Sequence, residues 1–165
     1  MVSGDATNDR APGPLAGASS ELLTIERVAI LQRVDMFAAV PGQTLAAVAR
    51  LLDEVRVSPG EVVIERGAIE DWLFVVADGR LRVHVGERAL VDCGAGAVVG
   101  ELALLAPASR SASVTAAEHS LLLRLRREPF EELIDDFPEI ARAVIATLAR
   151  RLQQLADEDA RRGVR

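Results

Sequence analysis

The sequence contains no lysine and no tyrosine, a single cysteine and only two histidines. With Cys93 alone there is neither a disulfide framework nor a cysteine-built metal cluster, and no metal ligand set is expected. His84 and His119 lie 35 positions apart, without a His-x-His or His-x-Asp pair. The metal site of a jelly-roll oxygenase or isomerase would therefore lack its ligands, and no enzymatic activity is expected. No apolar run approaches the roughly 18 residues of a membrane helix. The N-terminus has no basic start followed by an apolar core, so it does not read as a secretory signal, and a cytoplasmic location is expected. Positive charge is also short: 19 arginines face 25 acidic residues, for a net charge of -6. Direct nucleic-acid binding is not expected from such a balance.

What is present is apolar. Half of the 165 residues are hydrophobic, enough for one domain with a real core. Residues 1–19 are the exception, rich in Gly, Pro, Ala, Ser and Asp, and they read as a disordered tail. Residues 20–157 read as the folded domain and residues 158–165 as a charged tail, with fraying expected from Asp157 onward.

Within the domain the hydrophobic period changes twice. Leu22, Leu23, Ile25, Val28 and Leu31 recur at helical spacing, with Ser20 as the expected N-cap. Leu45, Val48, Leu51 and Leu52 mark a second helix, with Pro41 in its first turn. Beyond Asp53 the pattern becomes strand-like. Val55 and Val57 alternate with Arg56, Trp72 to Val76 is a continuous apolar run, and Leu81, Val83 and Val85 alternate with Arg82 and His84. Gly-containing turns at Gly60, Gly67, Gly79, Gly86 and Gly94 to Gly96 separate short segments, as in a sandwich or barrel. After residue 126 the helical period returns, first through Phe130, Leu133 and Ile134. Pro138 opens a last helix, on which Ile140 and Val144 hold the start to the body. Ile145, Leu148, Leu152 and Leu155 form an apolar seam beside them.

The chemistry concentrates in residues 99–114. Gly100 and Glu101 precede a short apolar turn of helix expected at residues 102–105, and Arg110 and Ser111 follow it. A guanidinium can hold a phosphate through two parallel charge-assisted hydrogen bonds. A carboxylate accepts from a sugar hydroxyl, and N–H groups at a helical turn favour negative charge. Glu101 and Arg110 could instead be a structural ion pair, but Gly100, Ala103 and Ser111 fit the ligand reading as well. The other polar residues have blander readings. His84 and His119 read as exposed, and Arg124, Arg126 and Arg127 as a solvated strand end.

The run Gly100-Glu101-Leu102-Ala103-Leu104, a short spacer and Arg110-Ser111-Ala112 resembles the phosphate-binding cassette of the cyclic nucleotide-binding domain family, the type found in catabolite activator protein and protein kinase A regulatory subunits. Val57, Gly60, Gly67, Leu73, Phe74, Val76 and Gly79 resemble the first half of that family. Val99 stands where an aromatic is common, and Ser109 where proline often precedes the arginine. The resemblance implies a mainly β fold with flanking helices: an eight-stranded jelly-roll β-barrel, N-terminal helices and a C-terminal lid helix. It implies Arg110, Ala103 and Ser111 or Ala112 at a phosphate, Gly100 and Glu101 at a ribose, and Leu102 in the cassette turn. Leu90, Val98 and Val99 become candidate base neighbours. Thr115 and Ser111 are hydroxyls within reach of a purine edge. Leu155 is a candidate cover for the base and Arg151 a candidate polar contact at its edge.

The expected function is a sensor for a cyclic nucleotide, 3′,5′-cyclic AMP or else cyclic GMP, with no other cofactor. It would act on an unidentified effector domain or protein by moving its last helix. That helix is also a candidate surface for a homodimer. The alternative function is an interaction or assembly module of the same fold that binds no nucleotide.

Overall fold

The computed structural model describes residues 21–163. The tail expected at residues 1–19 and the expected cap Ser20 lie outside the described residues. Helix α1 (Thr24–Gln32) begins after Leu23, whose N–H donates to the Glu26 carboxylate at 2.7 Å. A 3-10 turn (Asp35–Phe37) and α2 (Gly42–Arg50) follow, with Pro41 at the N-cap, one residue before the expected first turn.

Eight strands come next. They are β1 (Asp53–Val57), β2 (Val62–Ile64), β3 (Trp72–Asp78), β4 (Leu81–Val85), β5 (Arg88–Cys93), β6 (Val98–Val99), β7 (Ser113–Ala116) and β8 (Ser120–Arg126). All pair antiparallel, in two four-stranded sheets of order β1-β8-β3-β6 and β2-β7-β4-β5. The expected architecture, mainly β with helices at both ends, is the one observed. Helix α3 (Glu101–Leu105) is inserted between β6 and β7, and α4 (Arg127–Asp136) and α5 (Pro138–Arg162) close the chain.

The two sheets are buried differently, and the sequence patterns show why. One face of the first sheet (Val55, Val57, Phe74, Val76, Val99, Leu122) packs on Ile64, Leu81, Val114 and Ala116 of the second. Its other face (Leu73, Val75, Leu123, Leu125) packs on the helices through Leu31, Phe37, Leu45, Val48, Phe130, Ile140 and Val144. A strand covered on both sides must be apolar along the covered length, as β3 is from Trp72 to Ala77. The second sheet is covered on one side only, so β4 and β7 alternate.

At Gly79 (φ 91°) an added Cβ would strike the Ser120 side chain and the His119 carbonyl, so the β3–β4 turn needs glycine twice over. The alternation also places Thr115 on the outer face, away from any interior ligand. There its hydroxyl meets Nε2 of His84 at 2.8 Å, while Nδ1 lies 2.8 Å from the Gly86 carbonyl. His84 is thus half-buried and engaged rather than freely exposed. Arg124 also departs from the solvated reading: it pairs with Asp53 at 3.2 Å and lies over the Trp72 ring at 5.8 Å.

Helix α5 does not fray at Asp157 but continues to Arg162, with Arg162 and Glu158 paired at 3.6 Å. Its packed face is Ile140, Ala143, Val144 and Thr147, as expected for its start. From residue 152 onward every described residue is exposed.

Phe130 joins α4 to the rest of the helical core by an edge-to-face contact with Phe37, centroids 6.5 Å apart. Both rings are fully buried. Phe130→Ala is expected to cost about 3–5 kcal/mol in chemical denaturation. A loss below ~1 kcal/mol would show that α4 is not part of the cooperative core.

Candidate functional site

Arg110 is the residue on which the site is built. Its guanidinium is a permanent charge, yet Arg110 is only 6% exposed. Nε donates to the Glu70 carboxylate at 2.9 Å, Nη1 to the Gly100 carbonyl at 3.1 Å and Nη2 to the Trp72 carbonyl. Glu70 therefore supplies the counter-charge, and Glu101 does not. The structural ion pair between Glu101 and Arg110 considered from sequence is absent. A guanidinium has five N–H groups, so one on each terminal nitrogen remains.

Arg110 lines a cavity of about 330 Å³ between the two sheets and the β6–β7 connection. Its wall contains Val98, Val99, Gly100, Glu101, Leu102, Ala103, Ser109, Arg110, Ser111 and Ala112 from the cassette. Ile64, Val83, Val91, Cys93 and Val114 line its apolar side. Ten of the thirteen residues singled out from sequence are thus at the cavity or joined to its wall, Arg151 being the one joined. Leu90, Thr115 and Leu155 are not.

Leu90 alternates with Val91 and Cys93 along β5 and so takes the opposite face from these two lining residues. Leu155 is 59% exposed, on the part of α5 that projects beyond the body. Arg151 touches the site differently from the expectation: its Nη1 donates to Glu101 Oε1 at 2.9 Å.

The backbone of the cassette follows from two constraints. Gly100 has φ 80°, and a Cβ built there would lie 2.5 Å from Nη1 of Arg110. Only glycine gives both the left-handed turn and room for the guanidinium. Ser109 stands without a proline, but the next residue is locked in place by two backbone bonds. Arg110 N–H donates to the Ala68 carbonyl and its carbonyl accepts from Gly67 N–H, each at 2.8 Å. The N–H of Ala103, a candidate phosphate donor, already donates to the Gly100 carbonyl at 3.2 Å. Val99, the small residue in an aromatic position, is buried in the core between the sheets.

Sequence reading missed the apolar lining residues Ile64, Val83, Val91 and Val114 and, with them, two polar residues of the site. Glu70 lies 40 positions from Arg110, in a loop with no motif of its own. Cys93 was legible only as a lone thiol without a disulfide or metal partner, yet it lines the cavity. Burial, then the Asp92 and Glu101 carboxylates, hold its thiol above the ordinary range, so it stays a protonated and poorly nucleophilic group.

An apolar cleft with a buried cation on one side and a carboxylate on the other defines a receptor for a small anionic, hydroxyl-bearing ligand. The chain belongs to the cyclic nucleotide-binding domain family, whose model matches residues 54–137. It is 31% identical over 150 residues to the Pycsar effector protein PaPycTIR of Pseudomonas aeruginosa, covering 90% of this chain and 46% of that protein. It is 39% identical over 100 residues to the cyclic AMP receptor protein of Thermus thermophilus, covering 58% and 46%. Among solved structures it is similar to the N-terminal domain of a transcriptional regulator from Streptomyces coelicolor. That match has a TM-score of 0.71 and 29% identity, covering 78% of this chain and 93% of the other. The chain spans under half the length of these two curated relatives. The part of the chain that carries the cavity is thus a cyclic nucleotide-binding regulatory domain. Among the described residues no helix is long and apolar enough to cross a membrane.

Gly100→Ala tests the cassette geometry. The added methyl must displace the Arg110 guanidinium, so cyclic nucleotide binding is expected to fall at least ~10-fold, about 1.4 kcal/mol. Calorimetric titration measures it, and unchanged affinity would mean that Arg110 is not held at the site as described.

Proposed function

We propose that this domain binds 3′,5′-cyclic AMP and signals through the C-terminal half of α5. One observation carries the reading: the buried Arg110, with two N–H groups uncommitted, lines the same cavity as Glu101. A cyclic phosphate fits the first and a ribose hydroxyl the second. The base then lies along Val83, Val91, Cys93 and Val98, an apolar wall suited to a flat ring. Cyclic GMP is the alternative ligand. The relative named as a cyclic AMP receptor protein supports the adenine nucleotide. The output goes to an effector domain or protein, as the name of one relative, an effector protein, suggests.

Helix α5 is suited to carry the signal because only its first half is packed. Ile145, Leu152 and Leu155 are 65%, 68% and 59% exposed. Together with Ala141 and Leu148 they follow spacings of four and three. Covering either leucine is worth roughly 1.5–3 kcal/mol, enough to bias a two-state helix more than tenfold. A second copy of the chain offers such a cover in place, and a bound base offers it once α5 moves toward the cavity.

Arg110→Lys keeps the charge but cannot serve Glu70, two carbonyls and a phosphate at once. It is expected to weaken cyclic AMP binding by about 1–3 kcal/mol. The 2′-deoxy analogue is expected to bind the parent at least ~10-fold less tightly, and Glu101→Gln to narrow that gap. A binding panel of cyclic AMP, cyclic GMP, AMP and cyclic dinucleotides checks the ligand class. Absence of binding throughout would leave the domain as an assembly module of this fold.

Hydrogen exchange checks the output: amides of residues 148–155 are expected to slow with saturating cyclic AMP, and truncation before Leu148 to weaken binding. If neither occurs, α5 is not the moving element. Concentration-dependent dimerisation in sedimentation would then assign its exposed stripe to a second copy.

A further inference from the structure

Arg151 is the last residue of α5 on its packed side. Ile140, Val144 and Thr147 precede it at helical spacing, and everything after it is exposed. The helix is anchored just before that point. The Thr147 hydroxyl, in a residue only 2% exposed, donates to the Asp35 carbonyl at 3.3 Å, and Arg150 lies 3.4 Å from the Asp35 carboxylate. Arg151 is therefore delivered to the cassette by packing and does not reach it by chance.

There it lies between two carboxylates. Its Nη1 donates to Glu101 Oε1 at 2.9 Å, and its Nε lies 3.8 Å from Asp35 Oδ2. Arg151 does not line the cavity, whereas Glu101 does. One carboxylate oxygen of Glu101 is thus taken by the helix. The other, Oε2, has no hydrogen bond among the described residues.

We infer that Arg151 is a positioning residue: it fixes the Glu101 carboxylate so that Oε2 is aimed to accept the sugar hydroxyl, and it thereby makes hydroxyl selectivity depend on the docking of α5. This rests on the cyclic nucleotide reading of the cavity. A free glutamate at a cavity rim samples many rotamers, and ordering it on binding costs affinity. Holding one oxygen beforehand removes part of that cost. The coupling is reciprocal, so a ribose held on Oε2 steadies Glu101 for Arg151 and favours the docked helix.

The test is calorimetric titration of the full chain with cyclic AMP and its 2′-deoxy analogue, using the parent, Arg151→Ala, Arg151→Lys and Glu101→Gln/Arg151→Ala. Arg151→Ala is expected to weaken the ribo ligand several-fold and the deoxy ligand little, so the ribo-to-deoxy ratio narrows. Arg151→Lys is expected to restore part of the ratio. With Glu101 already replaced, removing Arg151 is expected to leave the ratio where Glu101→Gln alone puts it. Equal weakening of both ligands by Arg151→Ala would overturn the role, since it would mean that Arg151 only docks the helix. An unmoved ratio and unmoved affinities would overturn it too. A parent chain that binds neither nucleotide would instead overturn the nucleotide reading itself, which separates the two failures.

Discussion

A guanidinium that cannot lose its proton has to be neutralised and hydrogen-bonded if it is to be buried. Arg110 meets that requirement with one carboxylate and two carbonyls drawn from three separate segments. Satisfying it pulls the cassette, the start of β3 and the β2–β3 connection onto one point. It also dictates a glycine at position 100, where any side chain would meet the guanidinium. The cavity lies beside this arrangement, and Arg110 lines it while two of its donors remain uncommitted. An anion entering there meets a charge whose desolvation cost has already been offset within the fold.

The same cassette is wedged between two cores. Val99 packs between the sheets, while Leu104, five residues on, packs with the helices behind the first sheet. Close-packed interiors transmit small displacements because they have little free volume to absorb them. Any displacement of α3 is therefore felt on both sides of the first sheet. The Arg151–Glu101 contact adds a polar link from the same short helix to α5. The asymmetric burial of the two sheets places this link where it matters, since helices cover only the sheet that carries β3 and β6.

Much of the fold was legible because burial leaves a period. The continuous apolar run of β3, the alternation of β4 and the helical spacing of Ile140 and Val144 each report how many faces of an element are covered. The cassette was legible for a different reason: its glycine, carboxylate and arginine lie within eleven residues, and a local turn brings them together. The sequence did not show that Glu70 would serve Arg110 or that Arg151 would serve Glu101. Those partners are 40 and 50 positions away and carry no local pattern.

The sequence by itself determined the strand order along the chain, the helical ends and the position of the anion-binding loop. These depend on side-chain periodicity and on turns a few residues long. Tertiary structure alone decided which carboxylate neutralises Arg110. It decided which face of β5 meets the cavity, so that Cys93 lines it and Leu90 does not, and that Thr115 meets His84 on the far side of its sheet. It also decided that Leu155 stands in solvent. The physical reason is common to all of these. A residue's face and its ionic partner are set by strand register and helix docking, which are properties of pairs of distant segments and have no signature within either one.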